Sequence, residues 1–198
     1  MKVAIIKYNA GNVQSILFAM LRLGFDAEVT DDHDKLRKAD KVIFPGVGNA
    51  WSAMESLKSK GIDALLPTLQ QPVLGICVGM QLLCNSSEEN DTKGLGIVDL
   101  AVKKFTAVES GTKIPHMGWN QIYHDDSVLF AGVKQGANVY YVHSYYAEKG
   151  KESIGVTNYI NDFSAVVQRD NFYGVQFHTE KSSAVGDQIL LNFLNLKI

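Results

Sequence analysis

The sequence predicts an α/β fold: an open, mixed, mostly parallel sheet with helices on both faces, plus a β-rich section in the second half. Three observations carry that expectation. Short apolar runs alternate with helical periodicity through the first half of the chain, the pattern of parallel strands joined by crossover helices. The second half then turns into strand-like runs separated by Gly, Asn and Asp turns. Nothing resembling a linker divides the 198 residues, so the expectation is a single domain over 1–198.

The elements follow in order. Lys2 to Lys7 is a β-rich run, and Val13, Ile16, Leu17, Met20 and Leu21 then recur at helical spacing until Gly24. Ala27–Thr30 is a weak strand, Asp40–Phe44 a stronger one closed by Pro45-Gly46, and a helix carrying Met54 and Leu57 follows. Pro72–Ile76 is a fourth strand, and Gly79 to Leu83 opens a helix expected to continue through Cys84. Val98–Phe105, Gln121–His124, Val139–His143, Ser164–Gln168 and Phe172–Phe177 read as strands, and a closing helix carries Ile189, Leu190, Phe193 and Leu194.

Composition excludes several classes. Apolar residues make up 46% and charged residues 20%, which is ordinary for a globular chain and unlike a disordered or collagenous one. A net charge of −2 gives no electrostatic footprint for nucleic acid or an anionic membrane. Cys77 and Cys84 are too few for a disulfide framework and have no C-x-x-C spacing for zinc. No leader-like segment or membrane-length apolar run is present, so a cytoplasmic protein with reduced thiols is expected.

In a parallel α/β sheet ligands gather beyond the carboxyl ends of the strands. Gly75-Ile76-Cys77-Val78-Gly79 follows the fourth strand. Small residues two before and two after a nucleophile permit a tight strand-to-helix turn with that side chain at its tip, and a helix N-terminus favours a thiolate. The alternative for Cys77 is a buried thiol in a glycine-tolerant turn; Cys84, among leucines, reads as core. A cysteine nucleophile needs a base. Of five histidines, His33 and His124 sit in polar segments, and His116 and His143 have no acid in their own segment. His178 ends a strand with Glu180 two residues on, a spacing that places both on one side of an extended stretch. Glu180 then orients the imidazole and steadies its charged form. Pro45-Gly46-Val47-Gly48-Asn49 ends the third strand, and its backbone N–H groups suit either a phosphate or, with Val78 N–H, an oxyanion. No G-x-x-x-x-G-K-[ST] supports nucleotide triphosphate binding.

With these pieces in place the chain resembles the class I, triad-type glutamine amidotransferases, whose fold is flavodoxin-like. Within that class it is similar to the glutaminase subunits of imidazole glycerol phosphate synthase. The likeness runs from Tyr8 to Ser182. It rests on Tyr8-Asn9-Ala10-Gly11-Asn12 with Ser15, Pro45-Gly46-Val47-Gly48, and Gly75 to Gln81. Ser87-Glu88-Glu89, Pro115-His116-Met117-Gly118-Trp119-Asn120, Val142 to Tyr146, and Phe177 to Ser182 complete it. The resemblance implies that Cys77, His178 and Glu180 are the catalytic triad, forming a γ-glutamyl thioester. It implies that Val47, Gly48 and Val78 stabilise oxyanions, and that Gln81, Glu89, Ser144 and Tyr145 hold the amino-acid end of glutamine. It implies no metal and no organic cofactor. Ammonia would pass through a tunnel to a (β/α)8-barrel cyclase in a heterodimer, where the combined synthase has lyase character. Asn12, Ser15, Trp119, Asn120 and Lys181 would lie at that interface. Simpler readings stand beside these: Asn12 as a helix cap, Trp119 as core and Lys181 as a solvated lysine. Two departures are visible. Thr179 stands where the family usually has proline, and Asn9-Ala10 where glycine is commoner. The nearest alternative is a class I glutaminase serving another synthase. One such is an anthranilate-type chain, which usually has histidine at the place of Met80 and lacks the Pro115 to Asn120 block. Another is a surface-sugar paralogue, which would keep most of these motifs.

Overall fold

The computed structural model describes residues 1–9, 12–106 and 113–197. The first half alternates as β1 (Val3–Ile6), α1 (Val13–Arg22), β2 (Ala27–Thr30), α2 (His33–Lys38), β3 (Lys41–Phe44), α3 (Ala50–Ser59), α4 (Ile62–Leu65), β4 (Val73–Ile76) and α5 (Val78–Leu83). It continues through two short strands, β5 (Cys84–Ser87) and β6 (Thr92–Lys93). The second half is β7 (Val98–Lys104), β8 (His116–His124), β9 (Ala137–His143), β10 (Tyr145–Ala147), β11 (Ser153–Tyr159), β12 (Asn161–Arg169), β13 (Phe172–Val175) and a closing α6 (Ser183–Leu194).

The main path of the sheet runs β2-β1-β3-β4-β13-β12-β10-β7-β5-β6, with β11, β8 and β9 branching from β12. The first five strands are parallel, in the 2-1-3-4 order of a doubly wound fold. Beyond β13 the pairing is antiparallel except between β5 and β7. This is the expected α/β architecture, with a parallel half and a β-rich half in one hydrogen-bonded sheet.

Burial follows the pairing. Every residue of β1, β3, β4 and β13 is buried, as in strands covered on both faces. The long strand β8 mixes buried and exposed positions, with Met117, Trp119 and Tyr123 open to solvent. Helix α1 lays Ile16, Ala19 and Met20 on the sheet, while Phe18 and Leu21 face outward, so Leu21 does not extend the apolar stripe. Asn12 caps α1 by accepting from Ser15 N–H at 3.4 Å. Right-handed crossovers place α1 on one face and α2 and α3 on the other. Arg22 of α1 and Asp187 of α6 form an ion pair, tying the closing helix to the first.

The sequence missed α2, α4, β5, β6, β10 and β11. It also carried the helix after Cys77 one residue too far: Cys84 caps α5 and opens β5. The run Leu82-Leu83-Cys84 continues a helical apolar pattern, but its end is set by pairing of Cys84 with Val98. Cys84 is core as expected, fully buried, and burial pushes its thiol up to about 12. Ala10 lies outside the described residues, so the departure at Asn9-Ala10 has no structural account beyond Asn9, whose N–H donates to Ser56 Oγ.

Candidate active site

The turn between β4 and α5 presents Cys77 with φ 55° and ψ −111°, a positive-φ conformation that costs a non-glycine residue roughly 1–3 kcal/mol. Its backbone is locked on both sides: Cys77 N–H donates to Val175 O at 2.8 Å, and Gln81 N–H donates back to Cys77 O at 3.1 Å. The flanking glycines are there for space. A Cβ on Gly79 would lie 2.0 Å from Phe44 O, and one on Gly75 would lie 2.8 Å from Met80 N. The start of α5 therefore presses against the end of β3, where Pro45-Gly46-Val47-Gly48 turns.

His178 follows β13, the strand beside β4. Its Nδ1–H donates to Glu180 Oε1 at 2.8 Å, and both side chains are almost wholly buried. The pairing is the one expected, but the backbone differs: Thr179–Lys181 form a 3-10 turn, not an extended stretch. That turn brings the two side chains together because Ser182 clamps it. Ser182 Oγ donates to His178 O at 2.6 Å and accepts from Tyr140 N–H at 2.9 Å. His178 N–H also donates to Tyr140 O. Thr179, in the place of the usual proline, is fully buried under α6, so neighbours hold the turn without a ring constraint.

His178 Nε2 is buried and makes no hydrogen bond among the described residues. Burial alone would lower its imidazolium, but the adjacent Cys77 and Glu180 side chains raise it more, to about 10. Cys77 thus acts on His178 at close range although no Nε2–Sγ hydrogen bond is formed; such bonds often tighten only once substrate is present.

Cys77 and His178 line a cleft of about 340 Å³, enough for a small ligand. The same cleft is lined by Val47, Gly48, Val78, Gln81, Glu89, Ser144 and Tyr145. Glu180 stands behind His178. Glu89 Oε2 accepts from Ala50 N–H at 2.6 Å at the start of α3, which anchors a carboxylate at the cleft. Gln81 Nε2 donates to Tyr145 O and to Gln176 Oε1, both at 2.9 Å. Gln176 Nε2–H in turn donates to Cys77 Sγ at 3.8 Å. Gln176 was not picked out from the sequence, and the cleft-lining His143 was set aside there for want of an acid in its own segment. Both sit in strand-like apolar runs, where a buried polar residue with fixed partners looks no different from core.

None of the five interface candidates lines the cleft. Trp119 is 55% exposed, which excludes the core reading, and Lys181 is exposed with no ion pair among the described residues. Asn12 and Ser15 are joined through the cap of α1, and Asn120 is half-buried beside Trp119. Among the described residues, no group of three or more His, Cys, Asp or Glu is placed to hold a metal ion, and no helix is long and apolar enough to cross a membrane.

The profile of the glutamine amidotransferase class-I family matches residues 4–196, nearly the whole chain. The chain belongs to that family. Among similar proteins are those named imidazole glycerol phosphate synthase subunit HisH. That of Bacteroides fragilis is 52% identical over 99% of this chain and 100% of its own length. The Bacteroides thetaiotaomicron protein is 50% identical with the same coverage, and that of Yersinia pestis 43%, again over 99% and 100%. The fold is shared with a crystal structure named glutamine amidotransferase, with TM-score 0.74, 14% identity, and 97% of this chain and 96% of that one covered. It is shared as well with PurLQS from Thermotoga maritima, at TM-score 0.69 and 17% identity, with coverage of 98% and 97%. As an amidotransferase of this class, the protein is an enzyme.

Proposed function

We propose that this amidotransferase is the glutaminase subunit of imidazole glycerol phosphate synthase, a single-domain, cytoplasmic protein that works in a heterodimer. The observation that carries the chemistry is the meeting of Cys77 and the His178–Glu180 pair at one cleft, with Cys77 at the tip of a strained strand-to-helix turn.

The geometry performs hydrolysis as follows. Glutamine enters with its ammonium against Glu89 and its carboxylate against the Ser144–Tyr145 backbone, while Gln81 braces the same wall. The thiol proton passes to His178 Nε2, where the raised imidazolium holds it, and Cys77 Sγ attacks the side-chain amide carbon. Val78 N–H and the Val47–Gly48 turn receive the oxyanion; one such donor is worth about 3–4 kcal/mol of barrier. His178 passes its proton to the departing nitrogen, ammonia leaves and a γ-glutamyl thioester remains. Water then attacks the thioester, His178 takes its proton, and collapse releases glutamate and restores the thiol. Glu180 keeps Nδ1 protonated throughout, so Nε2 is the nitrogen that gains and gives the proton. No step calls for a metal or organic cofactor.

The ammonia is consumed by a (β/α)8-barrel cyclase, which carries the lyase step of imidazole glycerol phosphate formation. The exposed Trp119 on β8, with Asn120, Asn12, Ser15 and Lys181, supports a docking face there, since exposed aromatics are frequent anchors of protein interfaces. The names of the full-length relatives support the pathway. The test is glutamate release from glutamine by the purified chain, alone and with a histidine-pathway cyclase carrying its ligand. Strong stimulation is expected. Activity without stimulation would keep the triad and assign the chain to another synthase.

A further inference from the structure

Two histidines outside the triad form a buried hydrogen-bonded chain that leads to the glutamine-holding wall. His143 Nδ1 contacts Tyr145 O at 2.8 Å, His143 Nε2 contacts His116 Nδ1 at 2.9 Å, and His116 Nε2 contacts Asn120 Nδ2 at 3.2 Å. Both rings are buried, 4% and 6% exposed, and burial holds both neutral, His116 at about 4 and His143 at about 3.

The direction of every bond is then forced. A carbonyl only accepts, so His143 Nδ1 carries the proton and its Nε2 is an acceptor. His116 Nδ1 must donate to it, which leaves His116 Nε2 as acceptor and requires Asn120 to present its NH2. Asn120 satisfies this, because its other N–H donates to Asn158 O at 2.9 Å and its Oδ1 accepts from Gln121 N–H at 2.8 Å. The His116 ring is stacked between Tyr159, at 4.0 Å and 15°, and Tyr141, at 4.7 Å and 23°. Turning either ring would leave buried polar atoms unpaired, so the chain has one low-energy arrangement. Its inner end is the Tyr145 carbonyl, which also takes the amide of Gln81, and Gln81 reaches Cys77 through Gln176.

We infer that His116 and His143 are positioning residues for glutamine: their fixed chain of donors sets the Tyr145 carbonyl and, through it, Gln81. This rests on the glutaminase reading of the cleft. They take no part in proton transfer to substrate, and their loss weakens substrate binding without changing the chemistry of the thiol.

Isosteres at position 116 test this in the full chain. His116→Asn keeps an amide donor at the place of Nδ1, facing His143. His116→Gln moves the amide to the place of Nε2, facing Asn120, and His116→Phe keeps only the stacking. Inactivation by a diazoketone analogue of glutamine gives a half-saturating concentration and a maximal rate; iodoacetamide reports the thiol alone. His116→Gln and His116→Phe should raise the half-saturating concentration about tenfold, the worth of one buried hydrogen bond, with maximal rate and iodoacetamide rate held within about twofold. His116→Asn should stay near the wild type. Should His116→Phe fail to fold, the two amide variants still decide. Equal behaviour of His116→Asn and His116→Gln, whether both wild-type-like or both impaired, would overturn the inference, because a merely structural role does not depend on where the amide sits. A wild-type chain modified by iodoacetamide but inert to the diazoketone would instead overturn the glutamine reading itself, and this inference with it.

Discussion

The parallel and antiparallel halves contribute to the cleft by different means. The parallel half supplies backbone geometry: Cys77 on its strained turn, the amide groups of α5, and the Val47–Gly48 loop at the end of β3. The antiparallel half supplies side chains and carbonyls held by long-range hydrogen bonds, notably Tyr145, His143 and His116. Strand β13 belongs to both, parallel to β4 and antiparallel to β12, and it delivers His178 and Gln176 where the halves meet. A turn made by contiguous residues can place a nucleophile by itself. A cleft wall made from β9 and β10 and backed by β8 exists only once distant strands have paired.

The sharpest break in this division is Cys77→Ala. It should lower glutamine hydrolysis by about 10⁴-fold or more, while the partner's ammonia-dependent synthesis survives and thermal stability barely changes. Glutamine-dependent product formation by the reconstituted complex checks this, and full retention would remove Cys77 from the mechanism.

Gly79→Ala attacks the parallel half through space alone. A Cβ there meets a backbone oxygen at 2.0 Å, so backbone must move, at a cost of roughly 3 kcal/mol or more. Urea unfolding measures it; a variant as stable as the wild type would mean that α5 slides away from β3 without penalty.

The antiparallel half should show its character in acid. His116 and His143 titrate in the unfolded chain near 6.5 but in the folded chain at about 4 and about 3. Between those values the unfolded state binds more protons, so the contribution of these two rings to stability is complete above about pH 6.5 and falls as the pH drops towards 4. The loss for the first ring is about 3 kcal/mol. Unfolding free energies from pH 7 to 4.5 test the sign; a flat profile would mean that the rings are charged in the fold.

Trp119→Ala should have the smallest effect on the chain itself, within about 0.5 kcal/mol of stability, because the side chain is mostly in solvent. Its effect should appear only with the cyclase, as a loss of about 2 kcal/mol in affinity. Titration of the partner by calorimetry separates the two, and unchanged affinity together with unchanged glutamine-to-product stoichiometry would remove β8 from the interface.

The fold was legible where elements are local and strongly patterned. β2 occupies the same four residues expected from the sequence, and β1, β3 and β4 lie within their expected runs. The strands that went unread have no local signature. β5 is Cys-Asn-Ser-Ser, a run with little strand preference that is extended because β6 and β7 pair with it. β10 has three residues, and β11 carries a bulge around Gly155. At the site, the G-x-C-x-G turn and the His178–Glu180 spacing could be read directly, whereas His116 and His143 gave no sign of each other.

By itself the sequence determined the turn that exposes Cys77, because Gly75 and Gly79 leave room that a side chain would fill, and the family to which the chain belongs, because its motifs appear in order along its length. Tertiary structure decided how the turn at Thr179 is held and how a pair of neutral imidazoles came to support the far wall of the cleft. Those outcomes depend on hydrogen bonds between residues far apart in the chain, whose partners are chosen only when burial removes water as a competitor.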